Sequence, residues 1–230
     1  MNKNELKRLA AERAVEQVQS GMRLGLGTGS TAVYVVEGIG RRLRAGSLRD
    51  VICVPTSDRT AEQARGLGIP LIGLNELNPP QLDLAIDGAD EVAPDLSLIK
   101  GLGGAMLREK IVESAARRFV VVVDESKLVD RLGAKGPVPV EVIQFGWRAV
   151  VPHLEGLGAT VTLRLWPGGG EPFVTDEGNY ILDCRFAWID DPAELDRRIR
   201  DHAGAVVTGI FAGMASQVVV AGAGGVRILG

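Results

Sequence analysis

Residues 84–92 have the sequence Leu-Ala-Ile-Asp-Gly-Ala-Asp-Glu-Val, and residues 100–110 have the sequence Lys-Gly-Leu-Gly-Gly-Ala-Met-Leu-Arg-Glu-Lys. An apolar run therefore leads into three carboxylates around a Gly-Ala turn. A lysine, a glycine-rich turn and a helical stretch with another carboxylate follow. Acids and a lysine collected at a strand end and beside a glycine loop are the groups that proton-transfer chemistry requires. The stretch thus predicts a buried strand and a candidate catalytic region.

Outward from this stretch, apolar strands alternate with amphipathic helices. Strands are predicted at residues 22–26, 51–55, 81–86 and 119–123, and helices at residues 4–19, 33–43, 58–67 and 103–119. This alternation predicts an α/β fold with a doubly wound, mostly parallel, Rossmann-like sheet. Ligands of such sheets bind beyond the carboxyl ends of the strands. The turns at Thr28, Asp87 and Lys127 are all expected at such ends.

The pattern changes after residue 131. Residues 133–139 are rich in glycine and proline and indicate a crossing linker. The order after it is β-α-β-β-α with a further strand at 206–208, which predicts a smaller, inserted antiparallel α+β domain of ferredoxin-like type. We therefore expect a catalytic domain made of residues 1–130 with 206–230, and a small domain made of residues 131–205.

Composition narrows the class of protein. The chain has 230 residues, 46% of them hydrophobic, 30 glycines and a net charge of −3. No basic stripe is present, so a nucleic-acid partner is not expected. No apolar run is long enough to span a membrane and no signal region is seen, so we expect a soluble, cytoplasmic protein without a membrane partner. Cys53 and Cys184 lie in apolar runs without metal-binding spacing, which predicts two reduced core thiols and no metal site.

A second glycine-rich turn, residues 25–32, has the sequence Gly-Leu-Gly-Thr-Gly-Ser-Thr-Ala and lies between a predicted strand and a predicted helix. Backbone N–H groups and a helix N-terminus meet there, as in phosphate-binding turns. Ser30 stands where the dinucleotide fingerprint has its third glycine, and no Gly-Lys-Ser/Thr follows, so neither that fingerprint nor a Walker loop is present. A helix cap with closely packed glycines is the alternative interpretation.

Each candidate residue also has an ordinary structural interpretation. Asp87 and Asp90 could form an Asx turn, or could bind Mg²⁺ together with Glu91, although the nearby Lys100 disfavours a cation. Taken alone, Lys100 and Lys127 are typical of solvated lysines. The charged run around Glu109 is typical of a solvated helix face. Asp124 is interpreted as a turn residue. His153 and His202 are interpreted as structural residues in helical stretches, and no pattern indicates a His-based catalytic triad.

Together, these segments resemble the type A ribose-5-phosphate isomerase family. The resemblance lies in the order and spacing of residues 25–32, 87–91, 100–105 with 108–110, and 124–127, and extends to residues 138–142, 174–179 and 209–211. It covers essentially the whole chain. The family interconverts D-ribose 5-phosphate and D-ribulose 5-phosphate without a cofactor, in the pentose phosphate pathway. It also suggests a homodimer or a dimer of dimers.

The resemblance implies roles for individual residues. Glu109 would be the proton acceptor, with Lys100, Asp87 and Asp90 as further catalytic residues. The implied substrate-binding residues are Thr28, Gly29, Ser30, Thr31, Asp87, Gly88, Ala89, Asp90, Lys100, Gly101, Leu102, Gly103 and Lys127. Leu102 departs from the all-glycine version of the third motif, and Ala89 would contribute backbone alone.

The expected chemistry suits these residues. Glu109 would move a proton from C2 to C1 through a cis-enediolate, and Lys100 would stabilise the charge that builds on the sugar oxygen. Asp87 and Asp90 would bind hydroxyl groups, and residues 28–31 would hold the phosphate with Lys127 or Lys7. Two alternatives remain open: a phosphosugar-binding domain without turnover, and a Mg²⁺-dependent phosphosugar enzyme.

Overall fold

The computed structural model describes every residue from Met1 to Gly230. The α-helices are α1 (Lys3–Val15), α2 (Ala32–Arg44), α3 (Asp58–Gly66), α4 (Met106–Ser114), α5 (Trp147–Gly156) and α6 (Pro192–Arg200). The strands are β1 (Arg23–Leu26), β2 (Ile52–Pro55), β3 (Leu84–Asp87), β4 (Glu91–Val92), β5 (Leu98–Ile99), β6 (Phe119–Asp124), β7 (Val138–Val142), β8 (Ala159–Leu163), β9 (Tyr180–Phe186), β10 (Ala205–Thr208), β11 (Ile210–Phe211), β12 (Gln217–Gly222) and β13 (Gly225–Leu229). None of these helices has the length and apolar character needed to cross a membrane.

The chain divides into two compact units. The first comprises Met1–Ala89, Arg108–Leu128 and Met214–Gly230, and the second comprises Asp90–Leu107 and Val129–Gly213. This division differs from the predicted domains because residues 90–107, 129–130 and 206–213 belong to the second unit. Strand pairing explains the difference: β11 pairs with β5, which pairs with β4, and β10 pairs with β7.

The first unit is built on a six-stranded sheet with the order β13-β12-β6-β3-β1-β2. All neighbouring strands are parallel except β12 and β13, which confirms the predicted doubly wound, mostly parallel sheet. All six residues of β6 are buried, as its valine run predicts for a central parallel strand. The strand order reverses between β1 and β3, which makes this pair the switch point where such sheets bind ligands. β1, β3 and β6 are neighbours, so the turns that follow them emerge at one edge.

The second unit contains two antiparallel sheets. One has the order β10-β7-β9-β8 and shares its core with α5 and α6, and the other has the order β11-β5-β4. The first of these sheets confirms the predicted antiparallel α+β region. β4 and β5 have two residues each and were not predicted, because so short a strand has no measurable periodicity.

The largest boundary difference concerns α4. A helix was predicted at residues 103–119, but α4 covers Met106–Ser114 alone. Gly101 and Gly104 have φ angles of +99° and +82°, and the Gly104 N–H donates to the Gly101 carbonyl at 3.0 Å, so a tight turn occupies the predicted first helical residues. After the helix, Ala116 forms a parallel bridge to Leu82. Similarly, α1 ends at Val15 and not at residue 19.

Candidate active site

The turn after β1 is joined to the turn after β3 by one carboxylate. Oδ1 of Asp87 accepts the N–H of Thr28 at 2.9 Å and the N–H of Gly88 at 2.6 Å. The Asp87 side chain occupies the space beside Gly27, where an added Cβ would lie 2.1 Å from the carboxylate carbon Cγ. Asp87 is 1% exposed. Only glycine at position 27 therefore lets the two turns at the switch point meet in this way.

Thr28 lies in a buried cluster of hydroxyl groups. Its Oγ1 lies 2.8 Å from Thr56 Oγ1, 2.7 Å from Ser57 Oγ and 2.9 Å from Thr60 Oγ1. The Thr60 hydroxyl in turn donates to the Gly27 carbonyl at 3.0 Å. Both the N–H and the hydroxyl of Thr28 thus bind protein groups. This arrangement makes Thr28 a support of the turn, and its contact with a ligand stays a prediction.

The rest of this turn presents hydrogen-bond donors at the N-terminus of α2. The N–H groups of residues 29–32 have no hydrogen-bond partner within the protein. The Thr31 hydroxyl does not cap the helix, contrary to the alternative interpretation of a side-chain cap. Lys7 Nζ in α1 donates to Ser30 Oγ at 2.8 Å, which brings a positive charge to the same place. Amide donors, hydroxyl groups and a lysine at a helix N-terminus are suited to binding a phosphate.

Glu109 lies in the first turn of α4 and is 4% exposed. The interpretation of its charged run as a solvated helix face is therefore wrong for this residue. The neighbouring Arg108 forms an ion pair with Asp58, with Nη1 and Oδ1 2.7 Å apart. Gly25 in β1 explains how the helix packs so closely, because an added Cβ there would lie 2.8 Å from Val112 Cγ1 of α4. A buried carboxylate is thus held on a helix that packs against β1.

The turn after β6 contains Asp124 and Lys127. The Asp124 side chain accepts the N–H of Ser126 at 3.0 Å and also its hydroxyl, which confirms the predicted turn residue. Lys127 is the last residue of the short 3₁₀ helix that follows, and it is half-buried. Because β6 neighbours β3, Lys127 follows a strand end at the same edge of the sheet as Asp87.

Lys100 belongs to the second unit and follows β5. It is 2% exposed, its N–H donates to the Gly209 carbonyl at 2.8 Å, and its Nζ lies 5.5 Å from the centre of the Phe211 ring. The interpretation of Lys100 as a solvated lysine is therefore wrong. An added Cβ at Gly209 would lie 2.2 Å from the Lys100 carbonyl oxygen, so a glycine is required for this pairing. A buried ammonium group stabilises nearby negative charge more strongly than a solvated one.

Asp90 and Glu91 have separate roles in the same unit. Asp90 Oδ2 accepts the N–H of Leu102 at 3.0 Å, so this carboxylate orients the glycine-rich turn. The two oxygens of Glu91, which is 1% exposed, accept three N–H groups, from Gly133 at 2.7 Å and from Lys135 and Gly136 at 2.8 Å. Glu91 therefore anchors the loop at 133–136, and the described residues contain no cluster of three metal-ligating side chains. The geometry disfavours the Mg²⁺ site considered from the sequence.

Arg164, which follows β8, also contacts this turn and was not singled out in the sequence. Its Nη1 donates to the Gly101 carbonyl at 2.8 Å and lies 3.3 Å from the Leu102 carbonyl. Arg164 is about sixty positions from the turn along the chain, and a single arginine forms no sequence motif from which this contact could be predicted.

Another buried carboxylate of the second unit is Glu141 in β7. Its Oε1 accepts the Thr175 hydroxyl and the Asn179 amide, each at 2.9 Å, whereas its buried Oε2 has no hydrogen-bond partner. Burial raises the pKa of Glu141 above its ordinary value, although both hydrogen bonds act in the opposite direction. This carboxylate holds the turn at residues 175–179, which lies within the segment 174–179 that contributes to the family resemblance.

The remaining titratable side chains of interest are structural. His153 Nε2 lies 2.9 Å from the Arg198 carbonyl oxygen, and the His153 and His202 rings are 4.7 Å apart. His153 lies in α5 as predicted, whereas His202 lies just after the end of α6 and not in a helix; the contacts of both rings are with protein groups, which agrees with the predicted structural role. Cys53 and Cys184 are fully buried free thiols, and burial raises the pKa of each to about 12.

Comparison with known proteins gives one consistent family. The family model described as ribose 5-phosphate isomerase A (phosphoriboisomerase A) matches residues 52–225. A relative named ribose-5-phosphate isomerase A from Gloeobacter violaceus is 55% identical, over 97% of this chain and 95% of its own. A probable ribose-5-phosphate isomerase 3, chloroplastic, from Arabidopsis thaliana is 49% identical over 100% of this chain and 84% of its own.

Solved structures agree with the sequence relatives. A D-ribose-5-phosphate isomerase in complex with phospho-erythronic acid has a TM-score of 0.97 at 41% identity, covering 100% of this chain and 99% of its own. The ribose 5-phosphate isomerase from Plasmodium falciparum has a TM-score of 0.94 at 42% identity, covering 98% of each chain. Both similarities extend over both units of the fold.

Proposed function

We propose a role for each part of the candidate active site from one premise: this chain belongs to the ribose 5-phosphate isomerase A family. It interconverts D-ribose 5-phosphate and D-ribulose 5-phosphate through a cis-enediolate, in the non-oxidative pentose phosphate pathway. The full-length similarity to isomerases carries this conclusion. Glu109 and Lys100 are both buried, although charged side chains with no special role are usually solvated. This burial supports the roles that follow.

Glu109 is the base that moves the proton. The reaction removes a proton from C2 of the open-chain sugar and returns it to C1, so one carboxylate above that edge can perform both transfers. At 4% exposure Glu109 is largely removed from water, which limits exchange of the transferred proton with solvent. Its place in the first turn of α4 fixes it on a rigid element. A positioned base of this kind contributes about 10²-fold to 10⁴-fold in rate.

Lys100 stabilises the negative charge that builds on the sugar oxygen as the proton leaves. Its burial lowers the effective dielectric constant around the ammonium group and so strengthens this interaction. The glycine-rich turn at 101–103 adds backbone N–H donors. Removing one preorganised donor from comparable sites costs on the order of 3–4 kcal/mol in the transition state.

Asp87 and Asp90 bind sugar hydroxyl groups and assist ring opening. Oδ1 of Asp87 is fixed by the N–H groups of Thr28 and Gly88, so the carboxylate has a set direction. Asp90 is likewise oriented by the N–H of Leu102. Gly88 and Ala89, which lie between the two acids, contribute backbone contacts.

The turn at the N-terminus of α2 binds the phosphate. The N–H groups of residues 29–32 and the hydroxyls of Ser30 and Thr31 supply the donors, and Thr28 supports the turn from beneath. Lys7, already bonded to Ser30, adds charge, and Lys127 is the second cationic candidate. Holding the phosphate fixes the reacting carbons relative to the base, which lowers the entropic part of the barrier.

The family resemblance supports three further proposals. The enzyme requires no cofactor or metal, works as a homodimer or a dimer of dimers, and acts in the cytoplasm on a small phosphosugar. Full turnover after exhaustive treatment with EDTA is expected, because Glu91 is committed to three backbone amides. Loss of turnover that Mg²⁺ restores would instead favour the metal-dependent alternative.

The base is tested by conversion of D-ribose 5-phosphate in the presence of EDTA, with the wild type, Glu109→Gln and Glu113→Gln. Glu113 is a matched control because it is equally buried, at 3%, and lies one turn farther along α4. We expect Glu109→Gln to lose at least about 10²-fold in kcat while Glu113→Gln stays active. Turnover by a folded Glu109→Gln would move the base elsewhere, with Asp87 as the next candidate. Absence of turnover in every protein would leave a phosphosugar-binding protein.

A further inference from the structure

We propose that Arg164 is a positioning residue for the isomerisation: it holds two successive carbonyl groups of the turn at 101–103 and thereby aims the N–H groups of Leu102 and Gly103 away from itself. This inference rests on the proposed role of that turn. Arg164, Asp183, Asp90 and the turn all belong to the second unit.

The guanidinium group is fixed before it reaches the turn. Arg164 Nε donates to Asp183 Oδ2 at 2.9 Å, and its Nη2 bonds the other oxygen of the same carboxylate. The two side chains are 12% and 23% exposed. A planar guanidinium bound by both carboxylate oxygens has one orientation, which lysine could not reproduce.

The backbone of Arg164 is fixed as well. Its N–H donates to the Ile181 carbonyl at 2.8 Å, and its carbonyl accepts the N–H of Phe173 at 2.9 Å. The Phe173 ring in turn fills the space beside Gly104, where an added Cβ would lie 2.5 Å from the ring. The residue that reaches the turn is therefore held by backbone hydrogen bonds through both its N–H and its carbonyl group.

The contact with the turn determines where its N–H groups point. Arg164 Nη1 lies 2.8 Å from the Gly101 oxygen and 3.3 Å from the Leu102 oxygen. In a trans peptide the C=O and the following N–H point in opposite directions. The N–H groups of Leu102 and Gly103 are therefore directed away from Arg164. Gly101 has a φ angle of +99°, which glycine adopts without steric cost and which lets the backbone form this turn.

The two N–H groups have different partners. The Leu102 N–H donates to Asp90 Oδ2 at 3.0 Å, so Arg164 and Asp90 bind opposite sides of one peptide unit. The Gly103 N–H has no partner within the protein and Gly103 is exposed, which leaves this donor for a ligand oxygen. A positive charge on the carbonyl side also polarises a peptide and strengthens its N–H as a donor. Arg164 thus acts on the sugar through the peptides it holds.

The test compares Arg164→Ala with Arg197→Ala. Arg197 is the comparison because it also binds a carboxylate, Glu194, through two nitrogens, and Asp201 through the third, but it lies on α6 and donates no hydrogen bond to the turn. We expect Arg164→Ala to lower kcat about tenfold to a hundredfold with KM changed by less than about threefold, because an oriented donor acts mainly in the transition state. Added guanidinium chloride at low millimolar concentration should restore part of kcat, whereas sodium chloride should not.

Asp183→Asn serves as a second variant in case Arg164→Ala does not fold. It keeps the side-chain shape but weakens the hold on the guanidinium, and a smaller fall in kcat is expected. Equal kcat values in the folded Arg164 variant and the wild type would overturn the inference, as would a fall that Arg197→Ala reproduces. Lys100→Ala separates the two levels: if it retains turnover, the proposed stabilisation of charge by Lys100 fails, and if Lys100→Ala loses turnover while Arg164→Ala keeps it, only the role of Arg164 fails.

Discussion

Replacing Gly27 by alanine tests whether one carboxylate joins the two turns at the switch point. The added methyl group would lie 2.1 Å from Asp87 Cγ and Oδ1 and 2.4 Å from Asp87 Cβ. Ordinary carbon contacts are about 3.5–4.0 Å, so the carboxylate must retreat by roughly 1 Å or more. That movement breaks the hydrogen bonds from the N–H groups of Thr28 and Gly88. Each bond to a charged group contributes about 1.5–3 kcal/mol, so the free energy of unfolding should fall by about 3–6 kcal/mol.

Urea denaturation followed by circular dichroism measures this change. Gly66→Ala is the control, because no atom lies within 4 Å of an added Cβ there and the residue ends α3. A helical glycine replaced by alanine should leave stability unchanged or raise it by up to about 1 kcal/mol. If the free energy of unfolding of Gly27→Ala is no lower than that of Gly66→Ala, the proposed clash with Asp87 is refuted.

A double-mutant cycle separates the clash from other effects of the methyl group. Asp87→Gly removes the three Asp87 atoms that lie nearest the added Cβ, so Gly27→Ala should cost much less stability in that background. Additive losses in the two single variants and the double variant would show that the methyl group acts elsewhere. Loss of folding in Gly27→Ala alone would still leave this comparison measurable in the Asp87→Gly background.

Two further changes address the buried charges. Lys100→Ala should lower kcat by about 10²-fold to 10³-fold with a smaller change in KM, and steady-state kinetics that show an unchanged kcat would refute the charge-stabilising role. Glu141→Gln should unfold at higher urea concentration than the wild type at pH 8, with a difference that shrinks as pH falls toward 4.5, the ordinary pKa of the carboxyl. The reason is that a raised pKa in the folded state makes protonation stabilising, so the wild type loses stability as pH rises through that pKa. A difference that does not vary between pH 4 and pH 8 would contradict this reasoning.

The sheet of the first unit could be predicted because its strands are long enough, or apolar enough, to be recognised from the sequence pattern. β6 is a run of buried residues between clear boundaries, and the turns that follow β1, β3 and β6 contain the glycines and acids that mark strand ends. β4 and β5 escaped prediction because two-residue strands depend on partners such as β11, more than a hundred residues away. Their pairing is a long-range property that local periodicity does not contain.

The candidate site shows the same limit at the level of single residues. Glu109 is flanked by two charged residues, so its local sequence indicates a solvated face, and its burial follows from a helix that packs against Gly25 of a distant strand. The family resemblance singled out Glu109 as the candidate base, whereas the local pattern indicated a solvated residue. Arg164 has no local signal at all, because its partners at Gly101 and Leu102 are chosen by tertiary structure.

The interleaving of the two units has a consequence for the order in which a ribosome completes them. Every residue of the second unit, through Gly213, is synthesised before β12 and β13. The sheet of the first unit meanwhile ends at β6, whose edge has no partner until β12 pairs with it. An open edge on so apolar a strand can pair with another chain. The first unit of the nascent protein is therefore open to strand pairing with another chain until β12 is made, although every residue of the second unit has by then been synthesised.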